Sequence, residues 1–402
     1  MKDRSAELLA PPRDFHDLET LIRGRIRSAI VEILDEELET ALGAGGHERT
    51  PGRTGYRHGS LPPRVLMTAF GPEEVEVPRG RLKTETGTEE FKSQIIRRYE
   101  RRTRRLDAAL LNSYLMGANT RKIRLALKPL VEGTALSRSA ISRLAKRLHT
   151  LFEAWRSRDL SQETYVILVL DAIRVPVRLA RRVVKVPIQA VVGVKASGEK
   201  ELLELRLAPS ESLKSWEGVL EGLVTRNLVP PILVMLDGNA GLIRSVREAW
   251  PGAQLQRCTR HKLENLLSKA PKHCHEELKR DYGAITHAGD REQAETAYEG
   301  FCRKWQKLVP EVVVSLKEAG PDLLSFYGFP SEMWKSLRTT NVIERVNKEF
   351  RRRIKTQESF PTEAAALTLL FGLIASGAIR LRKIDGNQKL NEVIAGAQRK
   401  IA

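Results

Sequence analysis

Residues 165–171, Tyr-Val-Ile-Leu-Val-Leu-Asp, constrain the fold of this chain more than any other stretch. A run this short, apolar on both alternating faces and rich in β-favouring side chains, suits a strand buried in the middle of a sheet. It stops on a carboxylate, Asp171, where the strand is expected to leave the core. A second run, 231–236, also stops on an acid, Asp237, and is followed by Gly238 and a helix-like segment. Two buried strands that each present a carboxylate suggest a metal site.

The surrounding pattern extends this. Runs at 183–194 and 201–207, joined by a turn at Gly198, predict two further strands, so that three antiparallel strands come first. A helix at 212–225 leads to the fourth strand, and a helix at 239–250 leads to a fifth at 254–258. The order βββαβαβ, with acids on strands one and four, is the order of an RNase H-like mixed α/β sheet, although periodicity alone does not establish it. Residues 262–335 are helical in pattern, with candidates at 295–308 and 312–319 and breaks at Pro310 and Pro321. Beyond them, 339–350 (Thr-Thr-Asn-Val-Ile-Glu-Arg-Val-Asn-Lys-Glu-Phe) begins a helix capped by Thr340 or Asn341 and running into Arg351, Arg352 and Arg353. A strongly apolar helix at 362–378 should pack on the core.

The first third reads differently. Apolar residues at Leu18, Leu21, Ile22, Ile26, Ile30 and Ile33 predict one amphipathic helix over 18–42. Residues 43–64 have no periodicity and read as an exposed basic loop, and short strands are expected at 65–69 and 75–77, split by Gly71-Pro72. Six arginines crowd into 97–105: Arg97, Arg98, Arg101, Arg102, Arg104 and Arg105. Such a run is either a solvated face or a phosphate contact. A helix-turn-helix pattern directly after it favours phosphate: helices at 106–116 and 120–131, a break at Gly133, then Ser137 as N-cap of a helix with Ile141, Leu144, Ala145 and Leu148 inward. Its outer face carries Arg138, Ser139, Ser142, Arg143, Lys146 and Arg147, and in a helix-turn-helix that second helix enters the major groove. A plain three-helix packing unit is the alternative. The expected domains are therefore 1–60 (helix and basic loop), 61–160 (DNA-binding, with the helix-turn-helix at about 105–157), 161–262 (first part of the sheet), 263–338 (helical insertion) and 339–402 (closing helices).

A net charge of +18, from 68 Lys and Arg against 50 Asp and Glu, favours a polyanionic partner, most simply nucleic acid. An anionic membrane is the weaker reading, because no run approaches the roughly 20 apolar residues of a span. Residues 1–16 lack the apolar region of a signal peptide, so a cytoplasmic, nucleoid-associated location is expected. The three cysteines, Cys258, Cys274 and Cys302, are an odd number and argue against a disulfide framework.

Two-metal phosphoryl chemistry needs several carboxylates converging on one place. Asp171 and Asp237 can meet if their strands are neighbours, and Glu344, on the helix after the insertion, is the best third acid. Glu349, about 500° further around that helix, is expected to point elsewhere. An acid after a strand is often only a helix cap, which is the plainer reading of Asp237.

Taken together, Leu168 to Ile173, Asp237-Gly238 before a helix, Gln256-Arg257-Cys258-Thr259-Arg260-His261, and Thr339 to Asn347 carry a family likeness. In their order and in the helical insertion between Asp237 and Glu344, the chain resembles the IS256, or Mutator, family of bacterial transposases, which are DDE recombinases. The resemblance runs from Ala6 to about Arg382. It implies that Asp171, Asp237 and Glu344 are the catalytic, metal-binding triad, with two Mg²⁺ ions for which Mn²⁺ can substitute. It also brings Cys258 and His261, the family's Cys-x-x-His element, and Asn341 as an accessory position. Zinc competes as a reading, since Cys258 and His261 have ligand spacing and His273, Cys274 and His275 follow; His261 is otherwise a phosphate contact or a packed histidine.

Arg338, Arg345, Arg351 and Arg352 flank the third acid, where a basic helix could hold the scissile strand, and Trp334 is a candidate for stacking on a base. Trp305 reads as core. Val175-Pro176, just past the first acid, departs from the family pattern at the start of the first hairpin. The expected activity is binding of terminal inverted repeats, then metal-dependent cleavage and strand transfer into target DNA, with at least a homodimer on DNA and no membrane. An inactive DNA-binding repressor, or a nuclease without strand transfer, are the alternatives.

Overall fold

A computed structural model describes residues 13–68, 70–116, 123, 138–179, 182–208, 210–355, 360 and 362–401. The chain divides into two compact units, Met1–Leu144 and Ala145–Ala402.

In the first unit a 30-residue helix, Arg13–Leu42, packs on a three-stranded antiparallel sheet of β1 (Gly55–Ser60), β4 (Pro78–Thr84) and β5 (Gly87–Glu90), and on a hairpin of β2 (Arg64–Thr68) and β3 (Gly71–Val75). The helix is seated by Leu34, Leu38 and Leu42, one turn apart and fully buried, whereas Leu18, Leu21, Ile22 and Ile33 of the expected inner face are exposed. Glu73, wholly buried on β3, accepts ion pairs from Arg23 (3.1 Å) and Arg27 (3.3 Å) of the helix. The basic stretch 43–64 is not all loop. It contains β1, whose side chains are mostly exposed and so leave no apolar alternation to read. Strand β5 is wholly exposed and equally unmarked, and β4 buries only Pro78 and Gly80, which leave no apolar alternation either.

The helix Arg104–Leu115 buries Leu106 and Leu110 with Met67 and Ile123, and Leu144 packs against this cluster. The third helix of the expected helix-turn-helix is present as Arg138–Arg156. The middle helix, 120–131, the break and the Ser137 cap lie outside the described residues except for Ile123.

The second unit is built on a five-stranded mixed sheet in the order β10-β9-β6-β7-β8, where β6 is Tyr165–Leu179, β7 Arg182–Lys195, β8 Lys200–Leu207, β9 Leu233–Leu236 and β10 Gln254–Arg257. Strands β6, β7 and β8 form antiparallel pairs, while β9 runs parallel to β6 and β10 parallel to β9. One face, carrying Leu168, Leu170, Val234, Leu236 and Leu255, is covered by the helices Leu213–Thr225 and Ala240–Ala249 through Trp216, Leu220, Leu242 and Val246.

Strand β6 does not stop at Asp171. It continues for eight residues, paired with β7 as far as Leu179. Pro176 is accommodated because its carbonyl accepts from Phe360 N–H (3.0 Å), which places its ring nitrogen on the side away from β7, where no ladder bond is lost.

The segment between the last strand and the Glu344 helix is helical, as its pattern predicts, with Thr259–Lys269, His275–Thr286, Arg291–Leu308, Pro310–Ala319 and Ser331–Leu337. Trp305 is its fully buried centre, with its indole N–H donating to Asp281 (3.1 Å). Pro310 occupies the first turn of a helix, where its missing N–H costs nothing. No helix of the described residues is long and apolar enough to cross a membrane.

Candidate active site

The sheet sets the geometry of the site. Val169 is in register with Met235, and Met235 with Gln256. Two residues further along each strand, the same row contains Asp171, Asp237 and Cys258, on the sheet face opposite the Trp216 core. Strands β6 and β9 stop pairing after Val169, so the row opens at the carboxyl ends of the parallel strands, where open α/β sheets place their ligands.

The local chemistry of each turn is distinct. Asp171 is 8% exposed, and its Oδ1 accepts from Ala172 N–H at 2.8 Å while its Oδ2 accepts from Asn347 Nδ2 at 3.1 Å. Asp237 Oδ1 accepts from Asn239 N–H (2.9 Å), but the helix cap is Asn239 itself, whose side chain accepts from Leu242 N–H (3.0 Å). Asp237 is thus not a capping residue. Gly238 lies beside it, and a Cβ there would come 2.6 Å from the Arg257 guanidinium, which would have to move.

The third acid arrives by a hook between distant segments. The Thr259 N–H and hydroxyl both donate to Arg338 O (2.9 and 2.8 Å), and the Thr340 hydroxyl donates to Cys258 Sγ (3.4 Å). This fixes the start of the helix Asn341–Lys355 beside the end of β10, with Glu344 in its first turn. The helix packs on β6 through its apolar side, where Ile343, Val346 and Phe350 are buried. Glu344 forms an ion pair with Arg260, and its Oε1 lies 3.9 Å from His261 Nε2.

A cleft of about 900 Å³ runs along this helix, lined by Asp171, His261, Asn341 and Glu344 and by the basic residues Arg260, Arg345, Lys348 and Arg351. Asp237 is outside its wall but near enough for its charge to act on Asp171. Burial above all, then the charges of Asp237 and Glu344, push the Asp171 carboxyl up to about 6, against the opposing help of the Ala172 N–H and His261. The sulfur of Cys258 does most to push His261 up to about 9, with burial opposing and the charges of Asp171 and Glu344 adding to it. Burial would push the Cys258 thiol up, but His261 and Thr340 outweigh it and hold the thiol below its ordinary value.

The structure therefore gathers Asp171, Asp237, Glu344, Cys258, His261, Asn341, Arg345 and Arg351 in one region. Glu349, expected to point away, borders the same cleft because the cleft runs along the helix, and it pairs with Arg352 at 3.2 Å. Trp334 and Arg338 turn towards the helical insertion: the Trp334 indole donates to Phe329 O (2.7 Å) against Tyr327, and Arg338 donates to Thr286 O (3.1 Å). In the first unit Arg101, Arg104 and Arg105 are exposed and Arg102 is held by Asp107 (2.6 Å). Along the helix Arg138–Arg156, Ser142, Arg143, Lys146 and Arg147 are exposed, and the Arg138 side chain lies outside the described residues. His275 is tied to Ala270 O (3.0 Å), and neither it nor His273 or Cys274 joins Cys258 and His261.

Two residues were missed as participants. Asn347 and Arg260 sit inside recognised motifs, but only the fold shows that they touch Asp171 and Glu344.

The family model described as "Transposase, Mutator family" matches residues 2–379. The chain belongs to the Mutator family of transposases. Relatives include the transposase for insertion sequence element ISRM5 of Rhizobium meliloti, 33% identical over 88% of this chain and 86% of that protein. The transposase for IS1081 of Mycobacterium tuberculosis is 31% identical over 88% and 84%. The transposase for IS256 in transposon Tn4001 of Staphylococcus aureus is 28% identical over 84% and 85%. Among solved structures, a chain of the "Drosophila P element transposase strand transfer complex" aligns with 73% of this Mutator-family chain and 86% of its own length, at a TM-score of 0.30 and 9% identity, a likeness too slight to bear on the fold.

Proposed function

We propose that this chain is a DNA transposase that binds the terminal inverted repeats of its element and cuts and rejoins strands at a DDE site formed by Asp171, Asp237 and Glu344. The observation that carries the reading is that acids from three distant segments converge on the open end of one sheet, beside a cleft where Arg260, Arg345, Lys348 and Arg351 outnumber the remaining acids, Glu264 and Glu349. The strand order β10-β9-β6-β7-β8, with three antiparallel strands followed by two parallel ones, supports an RNase H-like assignment for that sheet.

The donor set fits hard divalent cations such as Mg²⁺ or Mn²⁺, because every donor is a carboxylate oxygen, Glu344 Oε1 is buried without a hydrogen-bond partner, and Asp171 is poorly compensated. Two such ions, held by Asp171, Asp237 and Glu344, would activate the attacking oxygen and stabilise the leaving one. The protein's own groups supply position. Asn347 fixes the plane of the Asp171 carboxylate. Arg260 neutralises Glu344 and must yield it as the site fills. Arg345, Lys348 and Arg351 line the path of a phosphate backbone, where point charges and bidentate guanidinium contacts hold the strand.

In the first step water attacks the phosphodiester at the element's end and a 3′-hydroxyl leaves. In the second, that hydroxyl attacks a target phosphate in line, forming one P–O bond as another breaks, so no covalent protein intermediate arises. Base recognition is assigned to the helix Arg138–Arg156 and the arginines near Arg101. Two ends must be held together, so the working form is at least a homodimer on DNA.

The test incubates the full chain with Mg²⁺ and a labelled duplex carrying the element's end. Nicks with a 3′-hydroxyl and strands joined to a second DNA are expected. Binding without nicking in Mg²⁺ or Mn²⁺ would instead make the chain a repressor, and nicking without joined products a nuclease.

A further inference from the structure

We propose that Cys258, His261 and Glu344 form a second metal site, for a soft or borderline divalent cation of the Zn²⁺ class, which shares Glu344 with the all-carboxylate site. Cys258 ends β10 and precedes the helix Thr259–Lys269, and His261 lies in the first turn of that helix. Glu344 comes from the first turn of another helix. The Thr259–Arg338 and Thr340–Cys258 hydrogen bonds lock these two turns together.

One ligand atom from each of the three residues lies within 4.8 Å of the other two, the only such grouping of His, Cys, Asp and Glu among the described residues. Neighbouring donors in a tetrahedral zinc site are roughly 3.3–3.7 Å apart, given Zn–S near 2.3 Å and Zn–N and Zn–O near 2.0–2.1 Å. Closing the gap therefore takes movements of about an ångström.

A second observation points to a ligand. His261 Nδ1 and Glu344 Oε1 are both buried and both lack a hydrogen-bond partner. Buried polar atoms are ordinarily satisfied, so two orphans in one three-residue cluster mark a place where something binds. The Arg260 ion pair takes Glu344 Oε2, which leaves Oε1 facing His261. Donor chemistry then selects the ion. A sulfur, an imidazole nitrogen and one carboxylate suit Zn²⁺ or Co²⁺ and are poor for Mg²⁺, which prefers oxygen alone. Three protein donors leave a fourth position open towards the cleft, where His261 and Glu344 are partly exposed.

The consequence, which rests on the catalytic reading of Glu344, is competition: a Zn²⁺-class ion held here withdraws the third acid from the DDE site. The site itself is tested without reference to catalysis, by titrating the full, DNA-free chain with Co²⁺ and recording its absorption. The wild type is expected to show the thiolate-to-cobalt charge-transfer band and the intense visible bands of tetrahedral cobalt, and Zn²⁺ should displace them and raise the melting temperature. Cys258→Ser, His261→Ala and Glu344→Gln should each weaken binding at least tenfold, while Cys274→Ser leaves it unchanged. An octahedral spectrum without the thiolate band, or undiminished binding in His261→Ala, overturns the proposal. If Cys258→Ser fails to fold, the band in the wild type and its loss in a folded His261→Ala still decide, because His261 is 31% exposed whereas Cys258 is buried.

Discussion

Replacing Asp171 by Asn keeps the side chain's shape but removes its charge, and the effect on stability should be opposite to the effect on activity. Asp171 is 8% exposed and its carboxyl is raised from 3.8 to about 6, chiefly by burial. A carboxylate raised in this way binds its proton more tightly in the folded state than in the unfolded one. Its destabilising contribution is therefore absent below 3.8, grows between 3.8 and about 6, and is complete above that. A gap of about two pKa units corresponds to about 3 kcal/mol. The substituted amide can still accept from Ala172 N–H, and the Asn347 amide, whose Oδ1 has no partner, can turn to accept the new donor. Without divalent ions at pH 8, Asp171→Asn should melt above wild type by roughly 6–12 °C, at about 2–4 °C per kcal/mol for a unit of this size. Below pH 4 the two melting curves should coincide. Calorimetric scans at both pH values give the answer. A variant that melts below wild type at pH 8, or whose gain is the same at pH 3.5, would refute the claim that a strained, buried charge sits at this position.

Three further outcomes follow from the same contacts. Trp305→Ala empties the centre of the helical insertion and leaves Asp281 without the indole donor, so chemical denaturation should show a loss of about 3–5 kcal/mol. Gly386→Ala must hold a Cβ at φ +69° and 2.8 Å from the Glu332 carbonyl carbon, and should cost more than about 1 kcal/mol in the same assay. Binding of an end-bearing duplex should weaken steeply with salt, with log K falling by about 0.9 per phosphate neutralised for each tenfold rise, and a salt-insensitive affinity would contradict a role for the exposed arginines.

What was legible in the sequence was what burial and local geometry write into it. The run at 165–171 announced a central strand because both its faces are covered, and the apolar and turn patterns placed β7 to β10 within one or two residues of their observed ends. The continuation of β6 past Asp171 was hidden, since Arg174, Pro176 and Arg178 interrupt the apolar run although the backbone stays paired. Strands β1 and β5 are mostly exposed, and β4 buries only a proline and a glycine, so none of the three left a periodic apolar trace. In the helix Arg13–Leu42 the apolar positions fit two faces, and only packing chose Leu34, Leu38 and Leu42 over Leu18 and Leu21.

At the site, chain order and motif singled out Asp171, Asp237 and Glu344, but no local signal could show that Asn347 reaches back to Asp171 or that Arg260 covers Glu344. Those contacts depend on the hook between Thr259 and Arg338, which joins segments far apart in the chain. Trp334 and Arg338 went the other way. Their proximity to Glu344 in sequence suggested the DNA path, whereas the turn at the hook directs both into the insertion.

The central claim is that three carboxylates act as one unit, and the most direct measurement is Mg²⁺-dependent nicking of an end-bearing duplex by Asp171→Asn, Asp237→Asn, Glu344→Gln and the triple variant. Residues that act together are not additive. Each single variant should fall to within roughly tenfold of the triple variant's rate while still binding the duplex. A single variant that keeps near wild-type nicking, or losses that multiply independently to give the triple variant, would contradict it.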